Sequence, residues 1–200
     1  MNSRLNIDQQ PESDSRTRLL DSAERIFGER GYASVTMRDI ADALGIRQAS
    51  LYHHMPGGKE QLFIEATERN LARHRAAIVT QLEGARGDLR AQLRAVAMWL
   101  VEQPMIDISR LFRADLPAIE PANADRLNRA VYLGLFEPVQ QAIEAAYERG
   151  EIRSLNGKVT AINFVVLVES LHEVTIHTRV PLAALATDTV DMLLDGMLRR

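Results

Sequence analysis

A short polar stretch, residues 48–54, carries the side chains best suited to reading nucleic acid. Its sequence, QASLYHH, combines an amide, two hydroxyls and two imidazoles. Gln can bond to both N6 and N7 of adenine, small Ala can meet a thymine methyl, and His can approach phosphate or guanine. No carboxylate occurs from Ala43 to Lys59, so the surface that displays these groups should be locally positive.

The stretch that must position these side chains, residues 36–59, has the pattern of two short helices joined by a tight turn. The first helix is predicted over 36–44, with Thr36 as its cap, Asp39 three residues on near the capping-box pattern, and apolar residues at helical spacing. Gly45 ends it, because a left-handed backbone is cheap only for glycine. The second runs over 47–54, and Leu51 can point back at the first. Such a pair forms a helix-turn-helix whose second helix enters the major groove, although the same pattern fits a helical hairpin in an ordinary bundle.

A longer run around this motif resembles a known family. The matching segments are LLDSAERIFGERGYASVTMRDIADALGI, then ASLYHH, then GGKEQLF. Leu-Tyr followed by His, with Lys-Glu-x-Leu shortly after, resembles the tetracycline-repressor (TetR/AcrR) family of bacterial transcriptional regulators. The close resemblance covers residues 16 to about 65, and the remainder is similar only in length and helical character.

The resemblance implies an all-α protein of about nine helices, with a three-helix DNA-binding head and a helical ligand-binding and dimerisation domain. We therefore expect a flexible N-terminal arm at 1–14, a helix-turn-helix domain at 15–58 and a C-terminal domain at 59–200. Ser15 is expected to cap the first helix. Residues 123–149 are expected to form one long helix, kinked at Pro138 because its ring displaces a backbone bond.

The resemblance also implies a set of DNA contacts on the two motif helices and at the start of the next helix. They are Thr36, Arg38, Arg47, Gln48, Ala49, Ser50, Tyr52, His53, His54 and Lys59. Gln48, Ala49 and His53 are expected to meet base edges, and the others to meet phosphates or a groove edge. Arg47 stands where many members have a capping Ser, so the cap is lost and a phosphate-seeking cation is gained. The turn before Lys59 is one residue longer than the commonest form, which leaves the reach of this side chain open.

A ligand cavity is implied for the C-terminal domain, and pockets of that kind are mostly apolar with a few polar anchors. The candidate lining residues are aromatic, Met and His side chains: Met98, Trp99, Met105, Phe112, Tyr132, Phe136, Phe164 and His172. For any single one of them, plain core packing is the simpler interpretation.

The last two helices, predicted over about 156–178 and 182–198, carry apolar residues on more than one face and should be buried from several sides. The family pairs its last two helices into a four-helix dimer interface. The residues expected there are Ile162, Val165, Val166, Leu185, Val190, Leu193 and Met197. A twofold dimer would place two recognition helices on a palindromic site.

The run HEVTIH, at residues 172–177, invites a metal interpretation that its spacing does not support. Two histidines five residues apart on a helix are separated by roughly 140° and cannot both bind one ion. A subunit contact, a pocket wall or a solvent-facing position is a better interpretation of this run, which Glu169 precedes. We predict neither a metal site nor a cofactor.

Composition limits the remaining classes. The chain has no cysteine, so disulfides and thiolate metal sites are excluded. The net charge is -3, and residues 1–60 hold 8 Lys and Arg against 9 Asp and Glu, so DNA affinity must come from a few placed contacts. With no signal peptide and no apolar run of membrane-spanning length, a cytoplasmic protein without a membrane partner is expected.

No nucleophile elbow, Gly-rich phosphate loop or properly spaced histidine pair is visible, so an enzyme is not predicted. The sequence favours a ligand-responsive DNA-binding regulator, most simply a repressor that binds a palindromic operator as a homodimer and is released by an unknown small molecule. Two alternatives stay open. One is an all-helical enzyme built around Trp99, Tyr132 and His172, and the other is a ligand-free DNA-associated structural protein.

Overall fold

A computed structural model describes residues 12–85, 88–104 and 106–197. All of the secondary-structure elements assigned within these residues are helices, which confirms the all-α prediction. The α-helices are α1 (Glu12–Arg30), α2 (Met37–Leu44), α3 (Gln48–His54), α4 (Gly58–Gly84), α5 (Leu89–Glu102), α6 (Ile108–Arg110), α7 (Pro121–Val131), α8 (Glu137–Glu148), α9 (Gly157–Thr178) and α10 (Leu182–Met197). π-Helical stretches follow α6 at Leu111–Asp115 and α7 at Tyr132–Phe136, and a 3-10 turn occupies Leu116–Ala118.

Two compact units divide the chain, and they do not follow its order. The head unit comprises the described part of Met1–Asn70 together with Ile108–Asn128, and the body unit comprises the described parts of Leu71–Asp107 and Arg129–Arg200. Helix α4 supplies residues to both units. The domain boundary expected at residues 58 and 59 falls at the start of α4, ahead of the point where the units divide.

Helix α1 begins earlier than expected. Its apolar stripe is buried, with Ala23 fully inaccessible and Phe27 only 4% exposed. Ser15 lies inside the helix rather than capping it, and residues 12–14 of the expected arm already belong to α1. The rest of the expected arm, residues 1–11, lies outside the described residues.

Segment 108–128 is fastened to the first helices of the head unit by buried polar contacts. The Tyr32 backbone N–H donates to Asp115 Oδ1 at 2.8 Å, and Arg110 donates to the carbonyls of Phe27 and Gly28. Those carbonyls lie in the last turn of α1, where helical partners run out. Gly31 follows at φ 75°, and a Cβ there would come within 3.0 Å of Arg110 Cδ. The turn between α1 and α2 is therefore held from outside its own sequence.

Helix α7 is tied to α4 within the head unit. Glu60 accepts from the Glu120 backbone N–H at 3.0 Å and from the Asn123 side-chain amide at 2.7 Å. The Arg126 guanidinium donates to both carboxylate oxygens of Glu68, at 2.5 and 2.6 Å. Two-pronged pairs of this kind are geometrically specific, so α7 is held in one register along α4.

In the body unit, α5, α8, α9 and α10 pack around an apolar core. The apolar stripe of α5 is buried, with Leu93 and Val96 fully inaccessible. Arg90 and Arg94 of α5 both pair with Asp191 of α10. The hydrogen bond from Arg94, followed by that from Arg90, holds the pKa of the Asp191 carboxyl below its usual value.

The single helix expected over 123–149 is instead divided by a π-helical turn directly before Pro138. The Glu137 N–H donates to Tyr132 O, five residues back, so Leu133 O would next require a donor from Pro138, which has none. Arg75 of α4 supplies that donor and also pairs with Glu137 at 2.6 Å. The proline thus changes the hydrogen-bond register, and an arginine from another helix satisfies the freed carbonyl.

Helix α9 departs from the expectation that no apolar run is long enough to span a membrane. It has 22 residues and a mean hydropathy of 1.5, which meets the criteria of length and composition within the described residues. The interruptions at Asn163 and Glu169 concealed this average in the sequence. A core helix apolar on several faces meets the same criteria.

Candidate nucleic-acid interface

The start of α2 is fixed by a reciprocal capping box. The Asp39 N–H donates to Thr36 Oγ1 at 3.1 Å, and Asp39 Oδ2 accepts from the Thr36 N–H at 2.7 Å. The Thr36 hydroxyl also donates to Asp39 at 2.6 Å. These hydrogen bonds, with a smaller contribution from Arg30, hold the pKa of the Asp39 carboxyl below its usual value. The box predicted from sequence is confirmed and secures two otherwise unpaired donors.

The turn between α2 and α3 is closed by Gly45, which has φ 68° as predicted. Its N–H bonds to Asp42 O at 3.1 Å, and the Ile46 N–H bonds to Ala41 O at 3.0 Å. This pair of bonds is a Schellman motif, which ends a helix and turns the chain sharply. The motif sets where α3 begins, and α3 starts one residue further on than Arg47, which is its N-cap without a side-chain bond.

Helix α3 divides sharply into an inner and an outer side. Leu51 is completely buried, as expected for the residue that points back at α2. Gln48, Ala49, Tyr52 and His53 are all exposed. At about 100° per residue these four positions cover an arc of roughly 140°. The structure therefore brings the three predicted base-reading side chains, with Tyr52, to one exposed face, which we call the α3 face.

The remaining predicted DNA contacts differ in how exposed they are and in what they contact. Arg38 and Arg47 are exposed, and Arg38 makes only a long, exposed ion pair with Asp42 at 3.7 Å. Ser50 and His54 are half-buried. The His54 ring lies 5.8 Å from that of His53, edge to face. Exposed ion pairs at such distances contribute little, so both arginines can be redirected to a phosphate.

Two of the predicted contacts are engaged inside the protein. The Thr36 hydroxyl is committed to the capping box with Asp39. Lys59 Nζ donates to Tyr32 O at 3.0 Å and lies 4.0 Å from the centre of the Tyr32 ring. With Asp115 on its N–H, Tyr32 is thus held at both of its backbone polar groups. Sequence spacing could not reveal this use of Lys59, because the partner lies far back in the chain.

The turn that delivers Lys59 is a compact one. The Gly58 N–H bonds to Met55 O at 2.9 Å around Pro56 and Gly57, the arrangement of a β-turn with proline in its second position. Gly58 has φ 68°, which other residues adopt with strain. Gln61 accepts from the Gly57 N–H at 2.8 Å and closes the start of α4.

Comparison with known proteins identifies this head. Residues 19–66 match the family described as bacterial regulatory proteins, tetR family. The matched residues include the capping box, the Gly45 turn and the whole α3 face. The head of this chain is therefore similar to the tetR family.

Curated relatives align with the head of this chain. It is 47% identical over 53 residues to the transcriptional regulator LmrA of Bacillus subtilis, which is 26% of this chain and 28% of LmrA. It is 60% identical over 42 residues to the transcriptional repressor KstR2 of Rhodococcus jostii, which is 21% of each protein. The chain thus spans less than a third of the length of either relative.

The fold match extends much further than the sequence match. The structure of AibR in complex with isovaleryl coenzyme A and operator DNA covers 89% of this chain and 97% of its own, with a TM-score of 0.71 at 20% identity. At that identity the likeness concerns the fold. The all-helical architecture of this chain is therefore shared over nearly its full length.

The residues predicted to line a ligand cavity do not gather into one unit. Phe112 lies in the head unit and is 38% exposed, whereas the other described candidates lie in the body unit. Met105 lies outside the described residues. Phe136 and Phe164 are buried core residues, as the simpler interpretation held. Met98, Trp99, Tyr132 and His172 are half-buried.

Two of the half-buried candidates have specific partners in the body unit. The Trp99 ring stands edge to face against His74 at 5.1 Å. The Tyr132 hydroxyl donates to Gln140 Oε1 at 2.5 Å, and Lys158 Nζ lies 4.5 Å from the centre of the Tyr132 ring. Both rings are therefore oriented by polar neighbours.

The predicted dimer residues fall into two groups. Val165 and Val190 are completely inaccessible and Met197 is 6% exposed, so all three are packed in the core of the body unit. The half-buried or exposed members are Ile162, Val166, Leu185 and Leu193. Sequence reasoning missed further apolar side chains on the same two helices, Val159, Leu167, Ile176 and Met192, of which Ile176 is 77% exposed. Periodicity alone could not tell the inward apolar face of these helices from the outward one.

Glu169 is the polar residue of the body unit that sequence reasoning undervalued. It is 7% exposed on α9, and Ile106 donates its backbone N–H to Glu169 Oε2 at 3.2 Å. Burial raises the pKa of the Glu169 carboxyl to about 7, and the hydrogen bond from Ile106 opposes that rise. A shift of this size marks functional-site candidates. The signal available in the sequence was its position three residues before His172.

Proposed function

We propose that this protein is a ligand-responsive transcriptional regulator, most simply a repressor that binds a palindromic operator as a dimer and is released by a small molecule. The observation that carries the proposal is the α3 face. Four exposed side chains there have the chemistry for base edges and phosphates, and the capping box and Schellman turn position the helix that bears them.

The relative with the same fold supports the ligand-responsive part of the proposal. AibR has been crystallised with both an acyl coenzyme A and operator DNA. A protein of this architecture therefore accommodates both kinds of partner. LmrA and KstR2, which resemble the head of this chain, are transcriptional regulators as well.

Dimerisation is supported by the apolar side chains that α9 and α10 leave exposed. Val166 is 40% and Met192 is 64% exposed. A contact between two copies would remove them from water and would place two α3 faces on one duplex. A protein that acts on bacterial DNA works in the cytoplasm, so we propose that location.

Release by a ligand requires no direct contact between ligand and DNA. If the protein interconverts between a conformer whose two α3 faces fit an operator and one whose faces do not, a ligand that prefers the second conformer lowers operator occupancy. The effect is limited by the difference in the ligand's affinity for the two conformers, and DNA weakens ligand binding by the same factor.

The alternatives proposed from sequence find less support. An enzyme built around Trp99, Tyr132 and His172 would need these side chains to converge on a substrate. Trp99 instead meets His74, and Tyr132 meets Gln140 and Lys158. A structural DNA protein would not need base-reading side chains on an exposed face.

Selection of bound sequences from a random duplex pool at near-physiological salt tests the proposal. We expect a palindromic motif whose half-sites are separated by one helical turn or a multiple of it. The enriched duplex would then be used to find small molecules that release the protein. Only weak, salt-sensitive binding without enrichment would refute sequence-specific regulation.

A further inference from the structure

The body unit holds two neighbouring polar groups on α9 that its own structure leaves short of partners. Glu169 is 7% exposed, and the Ile106 backbone N–H donates to its Oε2 atom at 3.2 Å. The Nε2 atom of His172 is buried and has no hydrogen-bond partner there. Buried polar atoms are nearly always paired, and each exception calls for an explanation such as a water or a ligand.

Helix geometry puts the two groups side by side. Residues three apart on a helix are neighbours on one face. At about 100° per residue, His172 falls within the stripe defined by the buried residues Ala161, Val165 and Val168. Glu169 lies roughly 60° around the helix from His172. Both groups therefore belong to the side of α9 that faces the interior of the body unit.

The chemistry of the pair selects what could complete it. A buried carboxylate without a counter-ion is costly, because charge in an apolar interior loses its hydration. An anionic ligand would add to that cost. A metal ion would need more ligands, and no group of three or more His, Cys, Asp and Glu side chains able to hold one occurs in the described residues. An organic ammonium offers a positive charge together with N–H donors.

We propose that Glu169 and His172 are the polar anchors of an effector site for an organic amine, whose ammonium group donates to the Glu169 carboxylate and to His172 Nε2. A primary or secondary ammonium carries enough N–H groups to serve both acceptors, whereas a quaternary ammonium has none. The half-buried Met98 and Trp99 of α5, a helix that packs on α9, offer apolar surface in the same unit for the carbon skeleton.

The protonation of Glu169 is consistent with this role. Its pKa of about 7 means that the buried carboxyl is readily neutral without a ligand and readily ionised with one. A cation placed beside it would favour the charged form. The site can therefore remain empty without holding a full unpaired charge.

This inference rests on the proposed function only in calling the amine an effector, so binding is tested first without DNA. Purified full-length protein is titrated with n-alkylamines from butylamine to dodecylamine and with benzylamine, and thermal unfolding and calorimetric affinity are measured. The 1-alkanols, alkanoates and alkyltrimethylammonium ions of the same chain lengths serve as ligand controls. We expect stabilisation by at least one primary amine and at least about tenfold weaker binding of the corresponding alcohol and alkanoate.

Three variants locate the site. Glu169→Gln keeps the shape and removes the charge, and we expect it to lower amine affinity at least about tenfold. His172→Leu should lower it by a smaller factor, which provides a second test should Glu169→Gln fail to fold. Glu173→Gln changes the exposed carboxylate that directly follows His172 on α9, and it should leave amine affinity unchanged.

The outcomes separate the two proposals. If no amine binds, if alkanoates bind as tightly, or if Glu169→Gln binds amines like the wild type, the amine site is refuted, while a palindromic motif from duplex selection would still stand. If amines bind through Glu169 but no DNA sequence is enriched, the site stands and the regulatory function falls. Release of the selected duplex by the same amine, lost in Glu169→Gln, would establish both.

Discussion

Helix α3 of the head unit and helix α9 of the body unit differ in where they keep their polar side chains. On α3 the apolar Leu51 is fully buried, and Gln48 and His53 are exposed. On α9 the carboxyl of Glu169 and the Nε2 atom of His172 are buried, while apolar Ile176 is 77% exposed. The first helix displays hydrogen-bonding groups to the outside, and the second keeps two such groups within the fold.

The difference predicts how each region responds to substitution. An exposed polar side chain contributes little to folding, so its loss should change partner recognition and leave stability nearly constant. A buried polar group is linked to the free energy of unfolding and to pH through its protonation. Recognition and stability should therefore separate on α3 and remain coupled on α9.

The largest expected effect is an exception to this comparison. It concerns Asp115, a polar side chain that is buried inside the head unit. Asp115→Ala removes the acceptor of the Tyr32 N–H and the ion-pair partner of Arg110, which lies 3.6 Å away. Breaking a buried charged pair leaves uncompensated polar groups, so we expect a loss of about 4 kcal/mol in the free energy of unfolding. Urea unfolding followed by circular dichroism measures it.

Asp125→Ala is the matched control, since Asp125 is an exposed carboxylate in the same segment of the head unit. We expect it to change the free energy of unfolding by less than about 0.5 kcal/mol. Equal losses in the two variants would show that segment 108–128 does not hold the head through Asp115.

The next largest effect concerns Glu169 and pH. Its pKa rises from 4.5 in the unfolded chain to about 7 in the folded one, so the folded state binds more protons between these values. Stability contributed by the protonated carboxyl is therefore complete at low pH and declines as pH rises to about 7, by about 3 kcal/mol in all. Unfolding free energies of wild type and Glu169→Gln, measured from pH 5 to pH 8, should show this slope only in the wild type. Glu173→Gln should keep the slope, and a parallel course for Glu169→Gln would contradict the buried, raised-pKa carboxyl.

A smaller effect sharpens the comparison at the α3 face. Gln48→Ala should weaken binding to the selected operator by about 2 kcal/mol and relax preference at one base pair of each half-site, because a two-bonded amide contact is lost. Its free energy of unfolding should stay within about 0.5 kcal/mol of wild type. Competition binding against operators altered at single base pairs measures the preference. Gln141→Ala, an exposed glutamine on α8, is the control, and unchanged preference in Gln48→Ala would assign the groove to another side of α3.

The smallest effect concerns the capping box. Thr36→Ala removes the side-chain bond to the Asp39 N–H and should lower stability by about 1 kcal/mol. Thr36→Ser preserves the hydroxyl and should recover most of that loss. If Thr36→Ala weakened operator binding strongly without changing stability, the hydroxyl would be a direct phosphate contact and not only a cap.

Sequence reasoning performed best where the deciding contacts are local. The capping box, the left-handed Gly45 and the burial of Leu51 depend on residues only a few positions apart, and each was predicted. The prediction that Ser15 caps α1 was wrong for another reason. In the sequence, a serine that caps a helix looks like a serine within one unless the start of the helix is known. Burial of Ser15 comes from packing, which local sequence does not encode.

Contacts that span the chain account for the remaining differences. The hydrogen bond from Tyr32 to Asp115 crosses 83 positions, and it assigns residues 108–128 to the head unit. The engagement of Lys59 by Tyr32 and of Leu133 O by Arg75 likewise depends on the packing of distant helices. For Pro138 the sequence indicated a disturbed helix. The arginine that donates to the freed carbonyl of Leu133, however, comes from α4.

The discontinuity of the head unit has a consequence for its synthesis. A nascent chain that has emerged from the ribosome only as far as α4 contains every residue of the α3 face but lacks Asp115, Arg110 and Arg126. Domains fold during translation as their residues become available, so the helices proposed to read DNA must wait for segment 108–128 before they are fully secured. The protein therefore completes this head only after residues 71–107 of the body have already been translated.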